Sequence, residues 1–426
     1  MKKILHTLKE KWAEYTLQIP VFISGIIGVL CSITGMKIRL AFSFLFLLAA
    51  GCSIKWTDAI QYGKVGEHEF SQTLHYEIQN DLILVPISIQ GKEYRFLFDT
   101  GAPFSISNKI QDEYGFKVVS KGNLRDSDHN RTKIQWVQID SIKISDISFL
   151  EQTAFVGDFE ANPILECMGI DGIIGSNLIR QCNWTIDPEQ NILSLHSEID
   201  EAILDQATVL PFKPNRQYSM FVDLGFGEAR VNNILVDYGS NGSVSLSRDV
   251  FSVLEAKNII GHTFFERGVK QSGIVGEPVP LNRKITYSDS VSIQDLTLRN
   301  IKIRTGSTTS IGNGLLSGFV VTIDWKDKNL YLTKIEKSEL APSFAGFSLG
   351  TSPEKGIYVQ SVIENSDAHN KGIRPNMKVL KLDTLDFEGG NDFCDYVNYE
   401  SQDKIYLQLI DSLGQKRELQ ITKTSF

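Results

Sequence analysis

The sequence has few of the residues that build metal centres and no stretch suited to nucleic acid. Its 426 residues include five cysteines without C-x-x-C spacing and seven histidines that form no cluster of ligands, so neither a metal nor another cofactor is expected. The formal net charge is −8, and no run of lysine and arginine with interleaved aromatics occurs. Since phosphates need a basic surface, we predict no nucleic-acid partner.

Several common catalytic motifs and long helices are missing as well. Gly175-Ser176-Asn177 lacks the G-x-S-x-G pattern of serine hydrolases, and no glycine-rich loop carries the lysine of a nucleotide site. Long amphipathic helices are scarce in residues 80–335, where short β-rich segments dominate. A hydrophobic content of 42% and a charged content of 22% are typical of globular proteins. We therefore predict a mainly β fold, with about three domains for this length.

Two similar segments stand out against this background. Phe96–Ala102 reads F-L-F-D-T-G-A, and Ile234–Ser240 reads I-L-V-D-Y-G-S. In each, an apolar strand runs into an aspartate, followed by one residue, a glycine and a small residue. Two such carboxylates a few Å apart share a proton, because like charges that close cannot both ionise cheaply. We predict that Asp99 and Asp237 are the catalytic pair, supported by Thr100, Gly101, Tyr238, Gly239 and Ser240.

The repeat extends beyond these motifs. Thr185-Ile186-Asp187 is matched by Thr322-Ile323-Asp324. Asp99 and Asp237 are 138 residues apart, and Thr185 and Thr322 are 137 apart. Because two different pairs of matching segments are separated by nearly the same number of residues, we infer a duplicated domain. Asp223-Leu224-Gly225 is out of phase with the repeat, and we interpret Asp223 as a structural residue of a strand or turn.

The residues after each motif suggest how the pair would work. The ionised carboxylate would deprotonate a water bound between the two groups. The protonated carboxyl would donate a hydrogen bond to the substrate carbonyl that this water attacks. Ser240 has a hydroxyl that can donate to Asp237, whereas Ala102 has none. A hydrogen bond to the charged form favours ionisation, so we expect Asp237 to be ionised. Segments 125–136 and 272–280 are candidates for flaps that close over the cleft, with ordinary exposed hairpins as the alternative.

Three features resemble the bacterial, single-chain retropepsin/pepsin-like aspartyl peptidases, over residues 80–335. They are Phe98–Ala102, the stretch Asp171–Leu178 and the Thr-Ile-Asp strand. The resemblance implies a two-lobed pepsin-like fold of duplicated β-barrel lobes, 76–200 and 201–336, and an aspartic endopeptidase (EC 3.4.23-like) acting on proteins or peptides. In the family, a Gly-hydrophobic-hydrophobic-Gly element packs beneath the aspartate loop. We expect its second copy at Gly312–Gly318, with Ser317 where a glycine is usual.

The last part of the chain, 340–426, is similar to a bacterial PDZ domain, a small α+β fold. The matching segments include Gly356–Ile363 and Gly372–Pro375. Asn376 stands where that family usually has a glycine, and asparagine tolerates the left-handed conformation required there. By resemblance, Phe344–Leu349 forms the carboxylate loop and groove strand and Phe393–Val397 the groove helix, which would bind a peptide by strand addition. The alternative is that this unit serves only for packing.

The amino terminus predicts export and a lipid anchor. Two cations in Met36–Arg39 precede the apolar run Leu40–Ala50 and then Gly51-Cys52, which together make a secretory signal. Its end resembles a bacterial lipobox, so Cys52 is the expected lipidation site. Segment 1–51 is thus a membrane and signal region, with the lipoprotein signal at 36–51, and 52–75 a tether. The expected location is the cell envelope, lipid-anchored and facing the periplasm or the cell surface.

Some alternatives stay open on the sequence alone. The upstream apolar stretch Ile19–Ile33 is either an extra membrane segment or lies before the true start at Met36, and residues 40–51 can also be a plain anchor. Cys167 and Cys182 flank a glycine-rich loop and could pair. Tyr238 replaces the threonine expected in the second motif. A catalytically degenerate peptide-binding lipoprotein, using its cleft and PDZ domain for recognition, therefore remains the alternative function.

Overall fold

The computed structural model describes residues 55–200, 207–336 and 343–425. Within them the chain is mainly β, which confirms the predicted fold class at that level. The predicted signal region 1–51, the stretch Ile19–Ile33 and Cys52 lie outside the described residues. Over the ranges that are described, no helix is both long enough and apolar enough to cross a bilayer.

The first half, residues 56–200, surrounds the strand that ends at Asp99. Its helices are α1 (Trp56–Ala59), α2 (Asn108–Tyr114), α3 (Pro163–Cys167) and α4 (Ser176–Ile179). Its strands are β1 (Lys64–Val65), β2 (Ser71–His75), β3 (Glu77–Gln79), β4 (Leu82–Ile89), β5 (Lys92–Phe98), β6 (Ser105–Ser107), β7 (Lys117–Arg125), β8 (Arg131–Ile144), β9 (Ile147–Gly157), β10 (Gly172–Ile174), β11 (Asn183–Asp187) and β12 (Ile192–His196).

A hairpin positions β5 for its role. Gln90 and Gly91 adopt φ of 51° and 85°, the left-handed values that a tight hairpin turn requires, and β4 and β5 pair antiparallel on either side. β10 lies parallel to β5 on its other edge, with Ile174 opposite Phe98. Buried apolar residues on both faces of β5 hold it at the centre of the core, so its end is a rigid platform for Asp99.

The second half, residues 207–336, places its own central strand in the same way. Its strands are β13 (Thr208–Pro211), β14 (Lys213–Pro214), β15 (Met220–Phe226), β16 (Ala229–Val236), β17 (Val244–Ser247), β18 (Phe264–Lys270), β19 (Val279–Ser288), β20 (Val291–Ile293), β21 (Leu296–Leu298), β22 (Ile301–Gly306), β23 (Ser310–Ile311), β24 (Phe319–Asp324) and β25 (Asn329–Lys334), and its helices are α5 (Arg248–Ala256) and α6 (Asn313–Leu316). β16 pairs antiparallel with β15 and parallel with β23. Asp223 lies on β15 and pairs with Arg230.

A six-stranded sheet joins the two halves in the order β13-β25-β24-β11-β12-β2. At its centre Thr185 of β11 lies opposite Thr322 of β24, and their hydroxyl oxygens are 2.9 Å apart. The edge strand β2 corrects the expected tether: all five of its residues pair with β12. Upstream of it, Ala59 is buried and its carbonyl accepts a hydrogen bond from Thr153. Residues 56–75 therefore belong to the folded body.

The C-terminal unit, residues 343–425, has its own apolar core. Its strands are β26 (Ser343–Phe344), β27 (Phe347–Ser352), β28 (Gly356–Ile363), β29 (Lys378–Leu382), β30 (Leu385–Asp386), β31 (Lys404–Ile410), β32 (Lys416–Thr422) and β33 (Thr424–Ser425), and its helices are α7 (Asp367–Asn370) and α8 (Phe393–Val397). Asn376 adopts φ of 73°, the left-handed conformation expected for it. β28 pairs with β27 and with β18 of the second half.

The disulfide differs from the pairing that the sequence suggested. Cys167 of α3 is bonded to Cys394 of α8, while Cys182 is a free, buried thiol. The reason is spatial: α3 and α8 pack against each other, whereas Cys182 belongs to the apolar core of the two halves. The bond links the first half to the C-terminal unit.

Candidate active site

The two predicted aspartates occupy equivalent positions at the ends of central strands. Asp99 follows β5, and its N–H donates to the carbonyl of Ile174 at 3.0 Å. Asp237 follows β16, and its N–H donates to the carbonyl of Ile311 at 2.9 Å. The parallel neighbours β10 and β23 thus hold both chain turns by the same backbone contact.

The structure brings these two carboxyl groups together in a partly buried site. They are hydrogen-bonded to each other, and each lies against the glycine of the opposite loop. A Cβ at Gly239 would lie 2.3 Å from Cγ of Asp99, and a Cβ at Gly101 would lie 2.9 Å from Oδ1 of Asp237. Any other residue at these two positions would push the carboxyls apart, so both glycines are needed for the pair to form.

Burial makes the pair hold a proton. It raises the pKa of Asp99, and burial followed by the charge of Asp99 raises the pKa of Asp237 to about 8. Asp99 accepts N–H bonds from Gly101 at 2.7 Å, from Ala102 at 3.1 Å and from Gly239. Hydrogen bonds donated to a carboxylate favour its ionised form. The geometry therefore favours Asp99 as the ionised member and Asp237 as the one that keeps the proton.

This assignment reverses the expectation that was based on Ser240. The Ser240 hydroxyl does not act on Asp237 in the structure; it accepts bonds from the Gly242 N–H and from Arg304, each at 3.4 Å. Backbone amides, not the serine hydroxyl, donate the hydrogen bonds that favour ionisation of Asp99. One of these amides, that of Gly239, belongs to the second half. Side-chain chemistry after each glycine was therefore the wrong criterion.

Thr100 braces the two loops from one side only. Its hydroxyl donates to the carbonyl of Val236 at 2.6 Å and accepts from the N–H of Tyr238 at 3.1 Å. Tyr238 occupies the corresponding place in the second loop but has no β-hydroxyl to return the contact. The bracing is therefore lopsided, because Thr100 supplies both hydroxyl contacts.

The ring of Tyr238 fills the space between the two aspartate strands. It is 2% exposed, and its centroid lies 5.5 Å from that of Phe98 in an edge-on arrangement. Its backbone carbonyl accepts from the side-chain amide of Asn313 at 2.8 Å. Apolar packing thus replaces the missing hydroxyl contact, and Tyr238 holds the floor of the site in position.

Each loop rests on a glycine in the segment that follows its parallel strand. A Cβ at Gly175 would lie 2.0 Å from the carbonyl carbon of Pro103, and a Cβ at Gly312 would lie 2.4 Å from the carbonyl oxygen of Ser240. The second element was expected to begin at Gly312, within 312–318. This placement was wrong, because the contact puts Gly312 at the end of the element. Gly312 itself corresponds to Gly175, and Ser317 is the C-cap of α6, so the serine is no departure from the pattern.

The two hairpins suggested as flaps contact each other. The first turns at residues 126–130 between β7 and β8, and the second at 271–278 between β18 and β19. The side chain of Asp128 is fully buried between them and lies 2.5 Å from Nζ of Lys270. It also accepts the N–H groups of Ser272 and Gly273, at 2.7 and 2.9 Å. We call this set of contacts the Asp128 clasp.

The clasp is charged and reinforced by neighbours. Burial would raise the pKa of Asp128, but the bonds from Lys270 and from the amides of Ser272 and Gly273 hold it below its usual range. Asp126 adds a bond from the N–H of Val275 at 3.2 Å. Sequence reasoning missed Asp128 because nothing in a turn sequence tells which distant loop it will meet.

The comparison with known protein families agrees with one half of this geometry. A family model described as "Aspartyl protease" matches residues 85–178, which include Asp99 and Gly175 but not Asp237. No curated protein matched the chain. The part of the chain from Val85 to Leu178 is thus similar to aspartyl proteases.

Proposed function

We propose that the protein is an aspartic-type endopeptidase in which Asp99 and Asp237 activate a water against a peptide bond. One observation carries the proposal: two partly buried carboxyl groups at the ends of equivalent strands are hydrogen-bonded to each other and fixed by glycines. The similarity of residues 85–178 to aspartyl proteases supports peptide or protein substrates.

We assign a role to each carboxyl on the basis of its hydrogen bonds. Asp99, with its amide donors, is the ionised group that takes a proton from the attacking water. Asp237, whose pKa is raised to about 8, keeps its proton and hydrogen-bonds the scissile carbonyl, then helps protonate the leaving nitrogen. The apparent pKa values of activity belong to the pair rather than to either residue.

We also propose that the two halves are duplicated lobes with the catalytic pair between them. Matching contacts support this: the N–H of Ser176 donates to the carbonyl of Ala102, and the N–H of Asn313 donates to that of Ser240, both at 2.8 Å. The offsets of these two pairs are 137 and 138 residues, as for the motifs. The sheet that contains Thr185 and Thr322 then joins the lobes.

For the C-terminal unit we propose a PDZ fold with a packing role in this state. The expected groove lies between β27 and α8, and there the Tyr396 hydroxyl accepts the N–H of Leu349 at 3.3 Å. An added peptide strand would need donors of this kind, so Tyr396 competes with such a ligand. The pairing of β28 with β18 ties the unit to the second half.

Lipid anchoring at Cys52 on the outer side of a membrane remains our proposal for location. The Cys167–Cys394 disulfide supports an oxidising compartment. A Cys52→Ala variant would move from the membrane fraction to the soluble envelope fraction if this is right.

The function is tested with the full-length chain in detergent and a mixed peptide library, with and without pepstatin. Asp99→Asn and Asp237→Asn should each abolish cleavage without unfolding the protein, because asparagine keeps the shape but cannot share the proton. Near-normal turnover by either variant would contradict the pair. Peptide binding without any cleavage would instead favour the degenerate peptide-binding protein.

A further inference from the structure

One face of the sheet in the second half carries several cations next to Asp237. In neighbouring strands, residues directly opposite each other share a face. Glu266 pairs with Arg283, Ile285 with Arg304, and Tyr287 with Lys302. Since alternate residues of a strand also share a face, three cations and one carboxylate lie together on this side of β18, β19 and β22.

Arg304 is the member of this group that reaches the aspartate loop. A Cβ at Gly242 would lie 2.7 to 3.0 Å from three atoms of its guanidinium, so the guanidinium fills the space that a side chain at 242 would occupy. Its Nη2 lies 3.4 Å from the hydroxyl of Ser240, three residues after Asp237. Any larger residue at 242 would displace the guanidinium from the loop.

The charges around Arg304 do not balance. Glu266 lies 3.0 Å from Nε of Arg283 and accepts the hydroxyl of Ser361, so this carboxylate is already engaged. Asp237 keeps a proton and is a weak counter-ion. Burial lowers the pKa of Arg304 to about 10, which still leaves it charged at neutral pH. Apart from the long contact to Ser240, the structure gives its guanidinium no hydrogen bond within the described residues.

We propose that Arg304 binds a carboxylate of the substrate on the Asp237 side of the cleft and makes the enzyme prefer acidic peptides. The inference rests on the proposed function. A guanidinium offers several N–H groups in a planar fork that matches a carboxylate. A half-buried cation has lost part of its hydration, so a carboxylate partner offsets the free-energy cost of that burial. The carboxylate comes from a Glu or Asp side chain or from a chain terminus.

The test uses labelled octapeptides in matched pairs, with glutamate or glutamine at each position in turn, and with a free or amidated C-terminus. Binding is measured by fluorescence anisotropy on the full-length Asp99→Asn variant, so that it does not depend on turnover. We expect one glutamate position, or the free C-terminus, to bind about tenfold more tightly than its neutral partner. Equal binding of every pair would overturn the inference.

Two variants assign the effect to a residue. Arg304→Met replaces the aliphatic stem with an unbranched apolar chain and removes the guanidinium, and it should abolish the preference. Lys302→Met removes a cation from the same strand and face and should keep the preference. Retained preference in Arg304→Met, or equal loss in both variants, would refute the assignment.

Cleavage by the wild-type chain separates the two proposals. Faster cleavage of the preferred acidic peptide than of its neutral partner supports both. If the wild-type chain cleaves no peptide although the anisotropy preference holds, the peptidase proposal fails and the carboxylate site stands. Cleavage of both members of each pair at one rate would leave the peptidase and refute the carboxylate site.

Discussion

At the residue scale, holding Asp237 in the protonated form lowers the stability of the fold at pH values where an unfolded aspartate is ionised. In the unfolded chain an aspartate has a pKa of about 3.9, whereas Asp237 in the fold has a pKa of about 8. The folded protein therefore binds more protons between these values, and its stability falls as pH rises from about 4 to 8.

Asp237→Asn should remove this dependence. We expect its melting temperature to exceed that of the wild type by a few degrees at pH 8 and to match it at pH 4, because asparagine needs no proton to stay neutral. Thermal unfolding at the two pH values measures it. Asp223→Asn, on β15, is the control and should show no such difference. An equal shift at both pH values would speak against a pH-dependent cost at Asp237.

The hydroxyl of Tyr238 makes a second prediction at this scale. Within the described residues this buried oxygen has no hydrogen-bond partner, and an unsatisfied buried polar group costs about 1–3 kcal/mol. Tyr238→Phe should therefore raise the free energy of unfolding by about 1 kcal/mol and keep activity. Tyr238→Ala should lower it by about 3–5 kcal/mol, because it deletes a buried ring.

Denaturant unfolding and a peptide-cleavage assay check both variants of Tyr238. A destabilised Tyr238→Phe would show that the hydroxyl has a role that the packing does not explain. That Tyr238 cannot make the hydroxyl contacts of a threonine follows from the sequence, because tyrosine has no β-hydroxyl. Which member of the pair is ionised does not follow from the sequence, because an amide of the second half reaches Asp99 only after folding.

At the element scale, the strands that hold the site were the most predictable part. Their apolar residues and turn signals are local, so β4, β5 and the hairpin at Gln90-Gly91 follow from the sequence. Edge strand β2 did not, because Ser71–His75 is polar and is a strand only by pairing with β12. The contact between the two hairpins was equally hidden, since it joins turns about 145 residues apart.

Asp128→Asn tests that contact. The change removes the ion pair with Lys270 while keeping most of the side-chain shape, and we expect a loss of about 2–3 kcal/mol in the free energy of unfolding. Amide exchange in residues 271–278 should accelerate, as measured by mass spectrometry. Asp146→Asn, in the exposed turn between β8 and β9, is the matched control. Unchanged exchange in 271–278 would show that Asp128 does not hold the second hairpin.

The pH dependence of the Asp128 clasp follows from its depressed pKa. A carboxylate of this kind stabilises the fold above its unfolded pKa of about 3.9, and the contribution is lost as pH falls through the lower folded value. The clasp should therefore persist at the pH where the pair of Asp99 and Asp237 carries one proton, and release only in stronger acid.

At the scale of the whole molecule, a strand pairing and a disulfide fasten the C-terminal unit to the rest of the described chain. One is the ladder between β18 and β28, next to the second hairpin, and the other is the Cys167–Cys394 bond to the first half. Neither was visible in the sequence: the unit was recognisable by its own pattern, but its partners lie in segments far along the chain.

The disulfide gives the last prediction. The double variant Cys167→Ser/Cys394→Ser should lower the free energy of unfolding by about 2–5 kcal/mol, because a bond closing so long a loop restricts the unfolded chain. Exchange should rise in α3 and α8 while β28 stays protected by its pairing with β18. Cys182→Ala, which removes the free thiol, is the control and should leave exchange in α8 unchanged. If the double variant unfolds like the wild type, the disulfide does not hold the C-terminal unit.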